Sequence, residues 1–452
     1  MAACELAREI GVIAAEDPDA RALEFNGRWH TWGDLAAAMA RADEAIEERV
    51  PDGPATVGVL TRNTPGCVAL LLAVLRRGGC FVVIRPPGGP DAGPADIQSA
   101  EPSPYPGVAV RMLTSGTTGP PKHVSLTYEA LLTGVSGAKH YESKKPGTSR
   151  RPRGVAIVNS PLAHLGGVFR VLQCVLDRRP FVFLERFEVD TWLRAVREYR
   201  PKTASLVPAA LRMVLRADPD PADLASLLAV TCGTAPLSPD DADAFTSRYG
   251  APVLTSYAAT EFAGGVAGWT LGDYRKYWRD KRGSAGRANP GSELRVVDET
   301  TGAVLGPDEN GLLEVRPAQL CSAGGWLRTT DLARVDADGF LYILGRADRA
   351  VIRGGFKVLP DRVAAVLEGH PDVGGAVVLG VADDRLGAVP VALVEPRPGT
   401  SADPGPILDR ARATLAGYEV PAELHVTPEL PRTISGKVDL RAAEALLGRI
   451  RA

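Results

Sequence analysis

From residue 154 to residue 260 the chain switches repeatedly between two hydrophobic periods, and that alternation leaves it few architectures. GVAIVNSP (154–161), FVFLE (181–185), TASLVP (203–208), LLAVTCG (227–233) and PVLTSY (252–257) are short apolar runs that read as buried strands. Between them lie GVFRVLQCVLDRR, VDTWLRAVREYR, AALRMVLRA and DDADAFTSRYG, helical segments of about ten residues each. Parallel strands need crossovers of this kind, so the stretch predicts βαβ units and a mainly parallel sheet with helices on both faces. Ligands of such sheets bind beyond the carboxyl ends of the strands. The loops after Ser160, Pro208, Gly233 and Tyr257 are therefore expected on one rim.

After Thr270 the pattern changes. GSELRVVDE, GLLEVRP and DGFLYILGR read as shorter strands, with an Asp-Gly turn at Asp338-Gly339. A smaller unit begins near Arg346 and holds a proline-started helix, VLPDRVAAVLEGHP, and two strands, GGAVVLGVAD and VPVALVEP. The expected boundary lies at 346–350, giving units 1–346 and 347–452. GPDAGPADIQSAEPSPYPG (89–107) and KKPGTSRRPRG (144–154) are polar and rich in Pro and Gly, and are expected to be surface loops. At 452 residues the chain can bury a large core. A net charge of -2 gives no electrostatic reason for a nucleic-acid or anionic-membrane partner. Glu5, Arg8 and Glu9 interrupt the first apolar stretch, and no run is long enough to span a bilayer, so a cytoplasmic protein without a leader or membrane span is expected. The six cysteines show no C-x-x-C spacing, so buried reduced thiols are expected rather than a metal site.

The chemistry begins at 113–124, LTSGTTGPPKHV. Thr114, Ser115, Gly116, Thr117, Thr118 and Gly119 combine glycines that permit close backbone approach with hydroxyls that donate to phosphate oxygens. Lys122 adds a point charge. Two prolines separate Gly119 from Lys122, so the segment is not a Walker A loop, and on its own it also fits a flexible turn. The segment resembles the T-S-G-T-T-G-x-P-K-G signature of the acyl-adenylate-forming (ANL) superfamily, AMP-binding acyl- and aryl-CoA synthetases included, with His123 at the last glycine.

Five more segments carry the resemblance. Residues 255–261, TSYAATE, are similar to Y-G-x-T-E, with Ala258 at the glycine. The resemblance implies that Tyr257 stacks on adenine, Thr260 contacts phosphate and Glu261 holds Mg²⁺. Gly233, Thr234, Ala235 and Pro236 resemble an adenine-contacting loop, and SPLAHLGG (160–167) a segment in which His164 lines the acid pocket. WLRTTDLARVDADGFLYILGR (326–346) matches W-x-x-T-G-D through G-R, with Thr330 at a glycine, and implies that Asp331 binds the ribose hydroxyls and Arg346 the ribose or phosphate. PRTISGK (431–437) implies that Lys437 bridges the acid carboxylate and the α-phosphate.

The resemblance implies an α/β fold: a large N-terminal AMP-binding domain with doubly wound, mainly parallel sheets and a small β-barrel-like part, and a small mobile α+β C-terminal domain. It further implies a hinge at Asp348 and a CoA channel at Arg353, Gly354 and Gly355. The acid pocket would involve His164, Val207, Ala258 and Phe262, and an apolar lining would favour a compact aromatic or medium-length acid. The implied reaction is adenylation of a carboxylic acid by ATP with Mg²⁺, then acyl transfer to CoA. A carrier-protein thiol (on phosphopantetheine), an amine or another nucleophile stays open as acceptor, as does an unusual oxyacid as substrate. Between Ile84 and Arg111 the chain is shorter than the family pattern, which leaves monomer or homodimer open. An inactive binding module would be expected to lose Lys437, Glu261 or Asp331; all three are present.

Overall fold

The structure is a computed structural model and describes residues 2–84, 97–114, 122–137, 154–433 and 437–451. Short helices recur because their ends are set locally. Pro208, Pro221, Pro239, Pro360 and Pro404 each open a helix, where a missing N–H costs nothing. The side chains of Ser238 and Asp403 cap two of these helices. Arg200, Asp218 and Gly250 end three helices in the left-handed region; Arg200 and Gly250 turn the chain into the next strand, and Asp218 into the short helix Pro221–Leu224.

The alternating stretch folds as expected element by element, but its strands divide between two sheets. Thr203–Leu206, Ala229–Cys232 and Val253–Ala259 run parallel side by side, and Gly264–Gly268 and Arg287–Ala288 extend that sheet antiparallel. Ala156–Val158 and Phe181–Phe183 instead join a second sheet, where Phe181–Phe183 pairs parallel with Arg21–Phe25. Hydrophobic period reports strand and helix but carries no information on the pairing partner.

A third sheet is built on Ala55–Leu60, Cys80–Ile84, Val108–Thr114 and Lys122–Thr127. Its edge corrects one expectation: Ile97–Pro102, read as loop, is a strand antiparallel to Ala55–Leu60. An edge strand can be polar because one side of its backbone faces solvent, and its only proline inside the strand is the last residue.

Glu293–Val297, Gly311–Arg316, Leu327–Val335 and Leu341–Arg346 form an antiparallel meander. Its last turn is displaced from the expected Asp338-Gly339 centre. Gly339 N–H donates to Asp336 O at 2.9 Å, so Ala337 and Asp338 are the central pair and Gly339 follows with φ +82. This is the three-residue form of a hairpin, a turn followed by a left-handed glycine. The last sheet comprises Val351–Arg353, Phe356–Val358, Val373–Asp383, Gly387–Pro396 and Glu423–Val426.

The hydrophobic cores separate along the sequence. Three clusters draw on residues up to Ile343, with Trp192 and Trp269 fully buried in one of them, and two clusters draw only on residues from Val351 onward. Residues 344–350 belong to none of the five; they include Arg346 and the 3-10 turn Ala347–Arg349. Polar contacts tie the two parts together. Arg212 lies 3.9 Å from Glu368, and Arg216 donates to Gly374 O at 3.1 Å and lies 3.5 Å from Glu395.

Candidate active site

The parallel pairing ends at one level. Leu206 pairs with Cys232 and Cys232 with Thr255, so Val207 and Gly233 leave the sheet at the level of Ser256, beyond which Val253–Ala259 continues paired with Gly264–Gly268. Val207 immediately precedes helix Pro208–Ala217, and His164 immediately precedes Leu165–Leu176, neither with a capping side-chain hydrogen bond. A Cβ at Gly233 would sit 2.8 Å from Ser256 Oγ, so glycine is what lets this loop cross close to the neighbouring strand. The next residue, Thr234, has φ +75. A β-branched residue in that region stores about 1–3 kcal/mol of strain, a state that clusters at functional sites. Thr234 and Pro236 are exposed on the rim, and Ala235 is half-buried.

Beyond Ser256 the chain delivers polar groups to the same level. The Tyr257 hydroxyl donates to the Asp331 carboxylate. Burial, reinforced by that carboxylate, pushes the phenol far above its ordinary value, so it stays a donor. Asp331 is also cross-strand partner of Arg346. Thr260–Phe262 form a 3-10 turn closed by Ala263 at φ +54. The turn splits its two largest side chains: Glu261 is exposed, whereas Phe262 is 4% exposed within a core cluster. Phe262, expected on the acid-pocket wall, packs in that cluster with its ring centroid 5.8 Å from that of Tyr257. Ala258 is exposed on the rim.

Three cations gather nearby, and one of them, Lys437, lies within electrostatic reach of Glu261. Arg346 grips Asp348 with two hydrogen bonds of 2.9 and 2.7 Å, and Arg349 lies 3.8 Å from Asp361. Lys437, from near the chain's end, lies within electrostatic reach of Arg349, Glu261 and Arg346. Desolvation lowers its pKa first and Arg349 adds to that, while Glu261 opposes it; part of the side chain still reaches solvent. Thr433 N–H donates to Lys437 O at 2.7 Å and Arg432 bridges to Val438, which fixes the backbone at Lys437.

Lys437, Glu261, Arg346, Asp331 and Tyr257 are thus brought together, with Gly233 and Thr234 on the rim. Arg349 was missed; its only sequence signal is a second arginine three residues after Arg346. Arg353, Gly354 and Gly355 are not part of this group. They form the tight turn between Val351–Arg353 and Phe356–Val358, with Gly354 at φ +57 and Gly355 at φ +88, and Arg353 donates to Tyr418 O and Val420 O. Thr114 and Lys122 are the paired ends of two antiparallel strands. Ser115, Gly116, Thr117, Thr118 and Gly119, which join them, lie outside the described residues.

One exposed carboxylate stands at this site for a divalent ion that other oxygens would have to complete. Among the described residues no group of three His, Cys, Asp or Glu side chains could cage a metal, but Glu261 presents one exposed carboxylate. Mg²⁺ is commonly held by one or two carboxylates plus phosphate oxygens.

Comparison with known proteins gives the family and the fold. The family model described as AMP-binding enzyme matches residues 89–323, and that for the AMP-binding enzyme C-terminal domain matches 362–437. An indoleacetate–CoA ligase of Aromatoleum aromaticum is 32% identical over 375 residues, covering 79% of this chain and 70% of that protein. A 4-coumarate–CoA ligase-like protein of Oryza sativa is 30% identical over 341 residues, covering 73% of this chain and 60% of that protein. Among solved structures, the amide bond synthetase McbA from Marinactinospora thermotolerans is 26% identical with a TM-score of 0.78, over 98% of this chain and 99% of that one. ATP-bound MatB from Rhodopseudomonas palustris, 22% identical, has a TM-score of 0.82 over 100% of both chains and shares the fold.

Proposed function

The chain belongs to the AMP-binding enzyme family, and from that premise we propose that it activates a carboxylic acid with ATP and passes the acyl group to the thiol of CoA. In the first step the acid's carboxylate oxygen attacks the α-phosphorus in line. A new P–O bond forms, the bond to the β-phosphate's bridging oxygen breaks, and pyrophosphate leaves an acyl-AMP. In the second step the thiol sulfur attacks the acyl carbon, the thiol proton is lost, and AMP departs with the electrons of the C–O bond.

The observation that carries this reading is the approach of Lys437 to Glu261 and Arg346 from the far end of the chain. Little covalent work falls to the protein in phosphoryl chemistry, where positioning and charge neutralisation dominate. Lys437 neutralises charge between the carboxylate and the α-phosphate. Asp331 accepts hydrogen bonds from the ribose hydroxyls in place of the Tyr257 hydroxyl. Thr260 and the 114–119 segment with Lys122 hold phosphate oxygens, Gly233 to Pro236 border adenine, and His164 stands beside the acid. Glu261 holds Mg²⁺, which supplies further neutralisation of the triphosphate.

The units 1–346 and 347–452 turn about Asp348 between steps, a division supported by the separation of the hydrophobic cores on either side of 344–350. Turning would bring the Arg353-Gly354-Gly355 hairpin to the rim and withdraw Lys437. A second reading, transfer of the acyl group to an amine, is supported by the near full-length similarity to an amide bond synthetase. Acid-dependent exchange of pyrophosphate into ATP tests the first step, and chromatography of products with CoA or an amine tests the second. Failure of a broad acid panel to release AMP and pyrophosphate from ATP would remove the proposal.

A further inference from the structure

Glu395 lies near the end of strand Gly387–Pro396 and is only 6% exposed. A carboxylate withdrawn so far from water is tolerated only with partners, and three groups converge on it. Oε2 accepts from the backbone N–H of Leu430 at 2.9 Å and from the Arg432 guanidinium at 3.0 Å. Oε1 faces the Arg216 guanidinium at 3.5 Å, and the same nitrogen of Arg216 donates to Gly374 O at 3.1 Å. The neighbouring strand makes room for both arginines. Gly375 is the cross-strand partner of Glu395, and Gly374 stands in the irregularity before it. A Cβ at Gly374 would sit 2.7 Å from Arg216 Nη2, and one at Gly375 3.2 Å from Arg432 Nη2.

These partners come from two directions. Arg216 is in the last turn of helix Pro208–Ala217, which begins at the rim beside Val207. Arg212, one turn earlier on the same face, lies 3.4 Å from Asp241 and 3.9 Å from Glu368. Leu430 and Arg432 instead lead into the segment that carries Lys437. Asp439 N–H donates to Pro431 O at 2.8 Å, Thr433 N–H donates to Lys437 O at 2.7 Å, and Arg432 bridges to Val438. Residues 430–433 are therefore laid against residues 437–439, and the Glu395 carboxylate grips the first of these legs at two points. A shift of Arg432 passes to Lys437 through those backbone contacts.

We infer that Glu395 is a positioning residue for Lys437: its buried carboxylate, shared by Arg432 and Arg216, ties the aim of the ammonium to the seating of helix Pro208–Ala217 against the last sheet. The inference rests on the adenylation reading and deepens it. A displacement of about 1 Å at a reacting group can cost about 10²-fold in rate, so the effect falls on kcat.

The test separates the two half-reactions. Glu395→Gln keeps an oxygen for the Leu430 N–H and removes the charge that holds both guanidiniums. It should lower kcat for pyrophosphate exchange, run with the best of cinnamate, hexanoate and octanoate, about 10- to 100-fold, with KM for ATP and the acid little changed. Thioester formation from CoA and the matching acyl-AMP, supplied ready-made, should persist, which also shows that the variant is folded. In a Lys437→Ala background Glu395→Gln should cost no further exchange, because its effect runs through that ammonium. Arg432→Met should match Glu395→Gln and Arg432→Lys should lose less, and these two decide the matter should Glu395→Gln not fold. Unchanged exchange, an equal loss in both half-reactions, or a further loss in the Lys437→Ala background overturns the inference alone. A wild type that exchanges with no acid of a broad panel overturns the adenylation reading, and the inference with it.

Discussion

Around Lys437, desolvation and the neighbouring Arg349 both loosen the hold on the ammonium proton, while Glu261 tightens it. A cation poised in this way is worth most where negative charge builds up during reaction. Lys437→Ala should lower acid-dependent pyrophosphate exchange about 10²- to 10³-fold, and thioester formation from supplied acyl-AMP far less. Equal losses in both half-reactions would contradict a role confined to the first. Thr234 makes a prediction about stability. Its φ of +75 costs a branched side chain about 1–2 kcal/mol, so Thr234→Gly should stabilise the chain by roughly 1 kcal/mol at the denaturant midpoint. A destabilised variant would show that contacts of the threonine side chain outweigh the strain. Tyr257, Glu261, Asp331, Arg346 and Lys437 were all legible because each sits in a short segment of distinctive spacing. The burial of Phe262 beside the exposed Glu261 was not legible, because spacing does not say which way each side chain of a tight turn faces.

Among elements, the turn Ala347–Arg349 joins the meander to the last sheet, and Asp348 within it is clasped by Arg346. Asp348→Pro fixes φ at the joint. Adenylation should survive while CoA-dependent turnover falls and acyl-AMP accumulates, measured by quenched-flow chromatography. Unchanged overall turnover would show that the chain turns elsewhere. Helices and strands of residues 154–260 were readable because period and length are local properties. Their division between two sheets was not, since the partner of Phe181–Phe183 is Arg21–Phe25, far away in the chain. The strand Ile97–Pro102 was hidden for a related reason: a solvated edge needs little apolar content, so its composition looks like a loop.

In the molecule as a whole, Glu368 stands where the two parts meet. Burial, opposed by Arg212, raises its pKa, although a quarter of the side chain reaches solvent and limits the effect. The docked state therefore keeps the proton at pH values where a free carboxyl, near ~4.3, has lost it. This contribution to docking is full at low pH and disappears as pH rises through the raised value. Glu368→Gln should flatten that part of the pH dependence of the thermal midpoint, and an unaltered slope would place its origin elsewhere. A change of pattern near Arg346 was visible in the sequence; the ionic contacts that join Arg212 and Arg216 to the last sheet and its helix were not, because their partners lie more than 150 positions away. The clasp at Asp348 has a last consequence. A guanidinium with both edge nitrogens committed to one carboxylate can lend that edge to a nucleotide only by letting go. On the proposed function, cargo arriving at Arg346 and release of the latch on the joint would be a single event.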